Sequence, residues 1–322
     1  MTKEEIIAKK DAFIEKHGKW EAHNVYLGEG VYTVTEKVTN RETRLRRLIQ
    51  LVRDNAPKPF EELSLVDLAC AEGVNSIGFA RAGMGKVLGI EAREKSVEKA
   101  NCAKEILGLD NVNFQVDDVR NLSPDKHGRF DVVLSTGILY HLEALDVCRS
   151  IQQMYDACNH MMILDTEISL FDRVPCEYEG ETYWGVMLKE HDQGDAKEVK
   201  VSRTLSSIDN AGSWWITRPS LLNLLHRVGF TTVFELPRRP GGREDRIILV
   251  AIKGKQISDP SFDDRVPVPG QVPWPERAHR HVKGVNVWFN RPWVPGPIKS
   301  IMWRLFVRAR NKELVSDYER VA

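Results

Sequence analysis

The stretch Ser64-Leu65-Val66-Asp67-Leu68-Ala69-Cys70-Ala71-Glu72-Gly73 decides the fold. An apolar run breaks there into small residues and one glycine, and a helical pattern, Asn75 to Arg81, follows directly. That order predicts a strand, a tight turn and a helix, the unit that opens nucleotide-binding α/β domains. A ligand that approaches the backbone needs small residues in such a turn, and the helix N-terminus supplies free N–H groups. Ala69, Ala71 and Gly73 meet that need.

Working outward, strands are expected near 64–69, 86–91, 112–116, 130–135, 160–167, 231–236 and 246–252, and helices near 75–82, 94–107, 144–157 and 218–228. Parallel strands need crossover connections, so this alternation predicts an α/β fold. The expected architecture is a Rossmann-like, seven-stranded, mostly parallel sheet with helices on both faces. The last two strands are close enough in sequence for an antiparallel hairpin at the sheet edge.

Residues 1–58 are expected to form a helical N-terminal cover or lid. Thr2 with Glu5 three residues on is a capping box, and the helix it starts should stop at Gly18. A second helix is expected over about 41–54, where Leu45, Leu48, Ile49 and Val52 share a face. Between them, His23, Tyr26 and Tyr32 could close a site from above. Within the core, 59–255, residues 168–217 form a long insert carrying Trp184, Trp214 and Trp215. Long loops of this kind are usually lids or binding segments, so the insert is the expected substrate-selecting region. Residues 256–322 hold eight prolines between 260 and 297 and then a basic amphipathic pattern, with ten Lys/Arg against four Asp/Glu over 276–322. An irregular arm and a helix are expected, and that helix could associate with a membrane surface or with another copy of the chain.

Composition narrows the function classes. Formal net charge is zero, so bulk electrostatics does not favour a nucleic-acid partner, although the basic tail keeps one open. There is no apolar run long enough to span a membrane, and the first residues are too charged for a secretory signal. Five cysteines without a CxxC pair argue against a disulfide framework or a zinc site and fit a cytoplasmic location.

Three acids close successive strands at the end where open α/β sheets bind ligands: Glu91 after the second, Asp117 and Asp118 after the third. An acid placed like Glu91 can accept hydrogen bonds from both ribose hydroxyls. Val66 to Gly73, Gly89-Ile90-Glu91-Ala92-Arg93, Val116-Asp117-Asp118-Val119 and Phe130 to Ser135 together resemble the ordered motifs of class I S-adenosylmethionine-dependent methyltransferases. Gly137-Ile138-Leu139-Tyr140-His141-Leu142 is similar to a segment of the branch containing the tRNA wobble-uridine carboxymethyltransferases and related small-molecule methyltransferases. The resemblance covers roughly residues 60–255 and implies S-adenosylmethionine as cofactor. It implies that Ala69 to Gly73 hold the methionine part, Glu91 the ribose, and Asp118 with Val119 the adenine edge. Asp67, Ala92, Asp117 and Ser135 belong to the same motifs, and Gly137 and Tyr140 would line the methyl-transfer site. Two departures stand out. Ala69 and Ala71 occupy positions where the family usually has glycine, and Leu142-Glu143-Ala144 stand where the carboxymethyltransferases carry basic residues.

Methyl transfer from a sulfonium requires alignment and, for a hydroxyl acceptor, removal of a proton. His141 is the candidate base and Tyr140 an orienting group. Asp165, Glu167 and Arg246 are candidate acceptor-binding residues, with Trp184, Trp214 and Trp215 as stacking surfaces and Tyr26 and Tyr32 as lid residues. No metal is expected, since no third ligand at a defined spacing accompanies Asp165 and Glu167. The leading expectation is a methyltransferase acting on a small-molecule hydroxyl, of a sugar or natural product. A tRNA-modifying enzyme, a non-catalytic binding protein and a hydride-transfer dehydrogenase remain alternatives, the last lacking the G-x-G-x-x-G glycines.

Overall fold

The computed structural model describes residues 1–35, 40–192, 194–204, 206–237 and 243–254, so the expected arm and basic helix of 256–322 lie outside the described residues. Helix α1 (Lys3–His17) starts at the expected capping box, in which Glu5 N–H donates to the Thr2 hydroxyl and Thr2 N–H to the Glu5 carboxylate, and ends at Gly18. A two-stranded hairpin, β1 (Tyr26–Gly28) and β2 (Val31–Tyr32), and helix α2 (Asn40–Asn55) complete the N-terminal layer.

The core then alternates: β3 (Ser64–Leu68), α3 (Val74–Arg81), β4 (Lys86–Glu91), α4 (Glu94–Leu107), β5 (Val112–Val116), the short α5 (Pro124–His127), β6 (Phe130–Thr136), α6 (Ala144–Ala157) and β7 (Cys158–Glu167). After an insert come α8 (Arg218–Val228), β11 (Thr232–Glu235) and β12 (Arg246–Ile252); the insert itself holds β8 (Val174–Tyr178), β9 (Glu181–Lys189), α7 (Lys197–Ser202) and β10 (Gly212–Ile216). Seven strands form one sheet in the order β11-β12-β7-β6-β3-β4-β5. All pairs are parallel except those of β12, which runs antiparallel to both β11 and β7. The order turns back between β3 and β6, so the crevice beyond their carboxyl ends is where a ligand of such a sheet sits.

Strand periodicity builds both faces. On β3, Leu65 packs with Leu48 and Val52 of α2 and Phe79 of α3, while its neighbour Val66 packs on the opposite face with Ile151 of α6 and Leu224 of α8. Leu48 and Val52 are fully buried, and each such side chain contributes about 1.5–3 kcal/mol to holding the N-terminal layer on the sheet. A third cluster, Ile6, Val25 and Leu27 with Ile77 and Ile106, fastens α1 and the hairpin to α3 and α4.

The insert is not the long loop expected. Its strands form an antiparallel sheet in the order β10-β9-β8. Two-residue alternation is weak in β9, where six of nine residues are exposed and five of those stand together, Glu181 with Thr182 and Met187 to Lys189, so the sequence carries little strand signal there. Among the described residues, no helix is long and apolar enough to cross a membrane.

Candidate active site

The turn after β3 is held in a left-handed backbone: Ala69 has φ +54°, Ala71 +48° and Gly73 +82°. Gly73 is the N-cap of α3, and a Cβ there would come within 2.9 Å of the Phe114 ring and 3.0 Å of Ala100, so only glycine fits. Asp67 braces the turn from beneath. Its carboxylate accepts from the Ser76 hydroxyl at 2.7 Å and the Ser76 N–H at 3.2 Å. Burial pushes the Asp67 pKa up to about 7, although the bonds from Ser76 and the charge of Arg44 pull the other way.

Two further acids grip the turn. Glu91, at the end of β4, accepts the Ala71 N–H at 3.0 Å and the Arg93 N–H at 2.9 Å. Glu72 accepts the N–H groups of Glu21, Ala22 and His23 at 3.0, 3.0 and 2.8 Å, and the Lys99 ammonium at 2.9 Å. The N-terminal cover is therefore tied directly to the turn, and Ala22 and His23 come to line the adjoining cleft.

That cleft has a volume of about 660 Å³. Ala69, Ala71 and Glu91 line one part, and Gly137, Tyr140 and His141, which follow β6, line another. His141 Nδ1 lies 2.8 Å from Glu190 Oε1. Glu190 follows β9 in the insert and also accepts the Ser207 N–H at 3.1 Å. Burial opposes its charge, but the hydrogen bond and charge of His141, with the Ser207 N–H, outweigh burial and hold its pKa below the usual value. A narrow extension of about 40 Å³ is lined by Ala92, Asp118, Val119 and the insert residues Ile208 and Asn210.

The insert is clasped over this extension. Arg93 donates to three of its carbonyls, Val201 at 3.0 Å, Arg203 at 2.9 Å and Ser206 at 2.7 Å. Arg120 bridges Asp118 and Asp209 at 2.5 and 2.6 Å. At the other end of the cleft, Asp165 is buried between two guanidiniums, Arg44 at 2.6 Å and Arg246 at 2.8 Å. Glu167 meets Arg243 at 3.0 Å and Arg246 at 3.4 Å, and Arg246 lies over the Tyr140 ring at 5.6 Å. Trp215 meets Tyr140 edge-on at 5.9 Å.

The structure thus brings Ala69, Ala71, Glu91, Gly137, Tyr140, His141, Glu167, Trp215 and Arg246 to one cleft, and Ala92, Asp118 and Val119 to its extension. Several expectations need correction. Trp214 offers no stacking surface: it is fully buried, and its indole N–H donates to the Val174 carbonyl. Strand alternation decides this, turning Trp214 into the core and Trp215 to the cleft. Trp184 is 40% exposed and does not line the cleft. Tyr26 and Tyr32 line a separate cavity of about 480 Å³ against α2 and α3, with Arg81 over the Tyr26 ring. Ser135 is fully buried in β6 and Asp67 lies beneath the turn, so neither lines the cleft. Asp117 is engaged by Lys126 at 2.6 Å and His127 at 2.9 Å and lines neither cavity. Asp165 acts on the cleft through its two arginines. Glu190 and Arg44 were not among the expected site residues, and Glu72 and Arg93 stand in the quoted motifs without an expected contact; each is a charged residue whose partner lies 20 or more residues away, and single-sequence spacing carries no signal for such pairs. Among the described residues no group of His, Cys, Asp and Glu is placed to hold a metal ion.

The comparisons with known proteins fall on this same core. Residues 59–174 match the family model Methyltransf_31, described as a methyltransferase domain. The ubiquinone biosynthesis O-methyltransferase of Caulobacter vibrioides is 34% identical over 100 residues, which is 31% of this chain and 39% of that protein. The corresponding enzyme of Brucella anthropi is 31% identical over 96 residues, 30% of this chain and 38% of that one. The chain thus spans about two fifths of the length of the curated relatives it matches. Among solved structures, the N-terminal domain of EvdMO1, crystallised with S-adenosylhomocysteine (SAH) and D-fucose, superposes with a TM-score of 0.59 at 20% identity, covering 79% of this chain and 98% of that domain. The fold is therefore a Rossmann-like methyltransferase fold, and the matched residues carry β3 to β7, five of the seven strands of the sheet, with the turn among them.

Proposed function

We propose that this protein binds S-adenosylmethionine and methylates a hydroxyl of a small molecule, a sugar or natural product. The observation that carries the reading is the His141–Glu190 pair, set in the same cleft as the left-handed Ala69–Gly73 turn and Glu91. The residues fit the cofactor. The turn presents the small side chains of Ala69 and Ala71 to the cleft, Glu91 is fixed by two backbone N–H groups with lone pairs to spare, and Val119 lies beside Asp118 in a slot between β5 and the insert. Ala69 to Gly73 would hold the methionine part, Glu91 the ribose, and Ala92, Asp118 and Val119 the adenine. When bound, the cofactor supplies an activated methyl group on its sulfonium.

The protein's own work is alignment and proton removal. His141 presents an imidazole to the cleft while its Nδ1 is anchored by Glu190, which leaves Nε2 as the atom to take the acceptor's proton. The Glu190 carboxylate then sits next to the imidazolium that forms, as an orienting partner does in base dyads generally. Tyr140 packs against His141 with ring centroids 4.3 Å apart and restricts its rotation.

Titration calorimetry with S-adenosylmethionine and SAH tests the binding step; absence of binding at millimolar ligand sinks the proposal. For the chemical step, His141→Ala should lower turnover by about 10²–10⁴-fold with cofactor affinity unchanged, the usual contribution of a general base. Turnover within twofold of wild type would remove His141 from the mechanism.

A further inference from the structure

We propose that the acceptor is a neutral polyol, a pyranose ring presenting vicinal hydroxyls, seated on a wall built from Arg44, Glu167, Arg246 and Trp215. The inference rests on the methyl-transfer reading and specifies its acceptor. The wall is continuous with the base: Tyr140 touches His141, Trp215 meets the Tyr140 ring edge-on, and the Arg246 guanidinium lies over that ring. All four wall residues line the one cleft.

Charge balance argues for a neutral ligand. Three guanidiniums, Arg44, Arg243 and Arg246, face three carboxylates, Asp165, Glu167 and Asp245, and every one of these groups is already ion-paired. A carboxylate or phosphate that drew both arginines to itself would leave buried Asp165 without its cations, a costly uncompensated charge, whereas a neutral ligand leaves these pairs in place.

Unspent hydrogen-bonding capacity argues for hydroxyls. A guanidinium offers five N–H donors and an ionised carboxylate about four acceptor sites. Among the described residues, Arg44 makes one side-chain hydrogen bond, to Asp165, and the Glu167 carboxylate meets Arg243 and Arg246. A flat phenolic ring placed here would strip water from these groups and return one hydroxyl contact, a costly exchange for charged groups. Vicinal hydroxyls both donate and accept, so they can satisfy Glu167 and the arginines together. The C–H face of a saturated ring is also the natural complement of the electron-rich face of Trp215.

The test uses the full chain. Saturation-transfer NMR with methyl α-D-fucopyranoside, with and without SAH, reports sugar binding directly, and SAH release with a matching mass gain reports methylation of the same probe. Catechol and benzoate serve as phenolic and anionic comparators. Expected are sugar binding and product from the glycoside, little from either comparator, and a KM for the glycoside raised about tenfold or more in Glu167→Gln and Trp215→Phe, the scale of one lost hydrogen bond or packing contact, with SAH affinity within twofold. Thermal melts of both variants exclude misfolding as the cause. Turnover of catechol or benzoate with no sugar binding overturns the acceptor assignment and keeps methyl transfer. Failure of SAH to bind overturns the function proposed above, and the acceptor assignment then stands or falls on sugar binding to the protein alone.

Discussion

Ala69 and Ala71 hold φ values of +54° and +48°, where an L-residue with a Cβ is strained by about 1–2 kcal/mol. Glycine would relieve that strain but widen the unfolded ensemble by about 0.5–1 kcal/mol. The two effects nearly cancel, with relief the larger. Ala69→Gly and Ala71→Gly should therefore leave thermal stability unchanged or slightly raised, measured by denaturant unfolding, whereas the same change inside a helix lowers it. A loss above about 1 kcal/mol at either site would mean that the methyl group packs favourably enough to justify the strain. Both alanines thus adopt the left-handed backbone that glycine takes most readily.

At the scale of elements, Glu72 is the fastening between the N-terminal cover and the sheet. Glu72→Ala would leave three backbone N–H groups and the Lys99 ammonium without their acceptor. Each unsatisfied buried donor costs about 1–3 kcal/mol, so a loss of about 3 kcal/mol or more is expected, together with faster hydrogen exchange at residues 21–23. Unchanged exchange there would show that the cover is held by its apolar contacts alone. Beneath the same turn, Asp67 gives a pH signature. Its folded pKa, about 7, lies above the ordinary aspartate value of 3.8, so the folded state binds the proton more tightly than the unfolded chain does. The stability this adds is complete below about 3.8, is lost as pH rises through about 7, and is absent above that. Asp67→Asn keeps an acceptor for Ser76 and cannot ionise; its melting temperature should gain on wild type between pH 5 and pH 8. A difference that stays constant over that range would place the titration elsewhere.

For the whole molecule, a ligand that binds only the folded state stabilises it by RT ln(1 + [L]/Kd), about 2.7 kcal/mol at a hundredfold excess over Kd. For a domain of this size that is a rise of about 5–10 °C with SAH, given about 2–4 °C per kcal/mol, and Glu91→Ala should abolish most of it. The architecture that makes this possible was largely legible in sequence. Strands buried on both faces, such as Val132-Val133-Leu134, read as apolar runs, and the acids that end them mark the ligand side of the sheet. The lining of the candidate cleft was legible only where it follows those strands directly, at Ala69, Ala71, Glu91 and Gly137–His141. What stayed hidden depends on register or on distance along the chain. Trp214 and Trp215 differ only in which side of β10 they occupy, and Glu190 reaches His141 across 49 residues.

That last pairing has a consequence for how such a protein can change. His141, the proposed base, stands on the turn that follows β6, while its partner Glu190 is delivered by the same insert that, through Trp215, contributes to the proposed acceptor wall. Remodelling the insert to admit a different acceptor therefore also resets the base, so selectivity and reactivity must be retuned together; grafting a foreign insert onto this core would need to bring its own acid for His141.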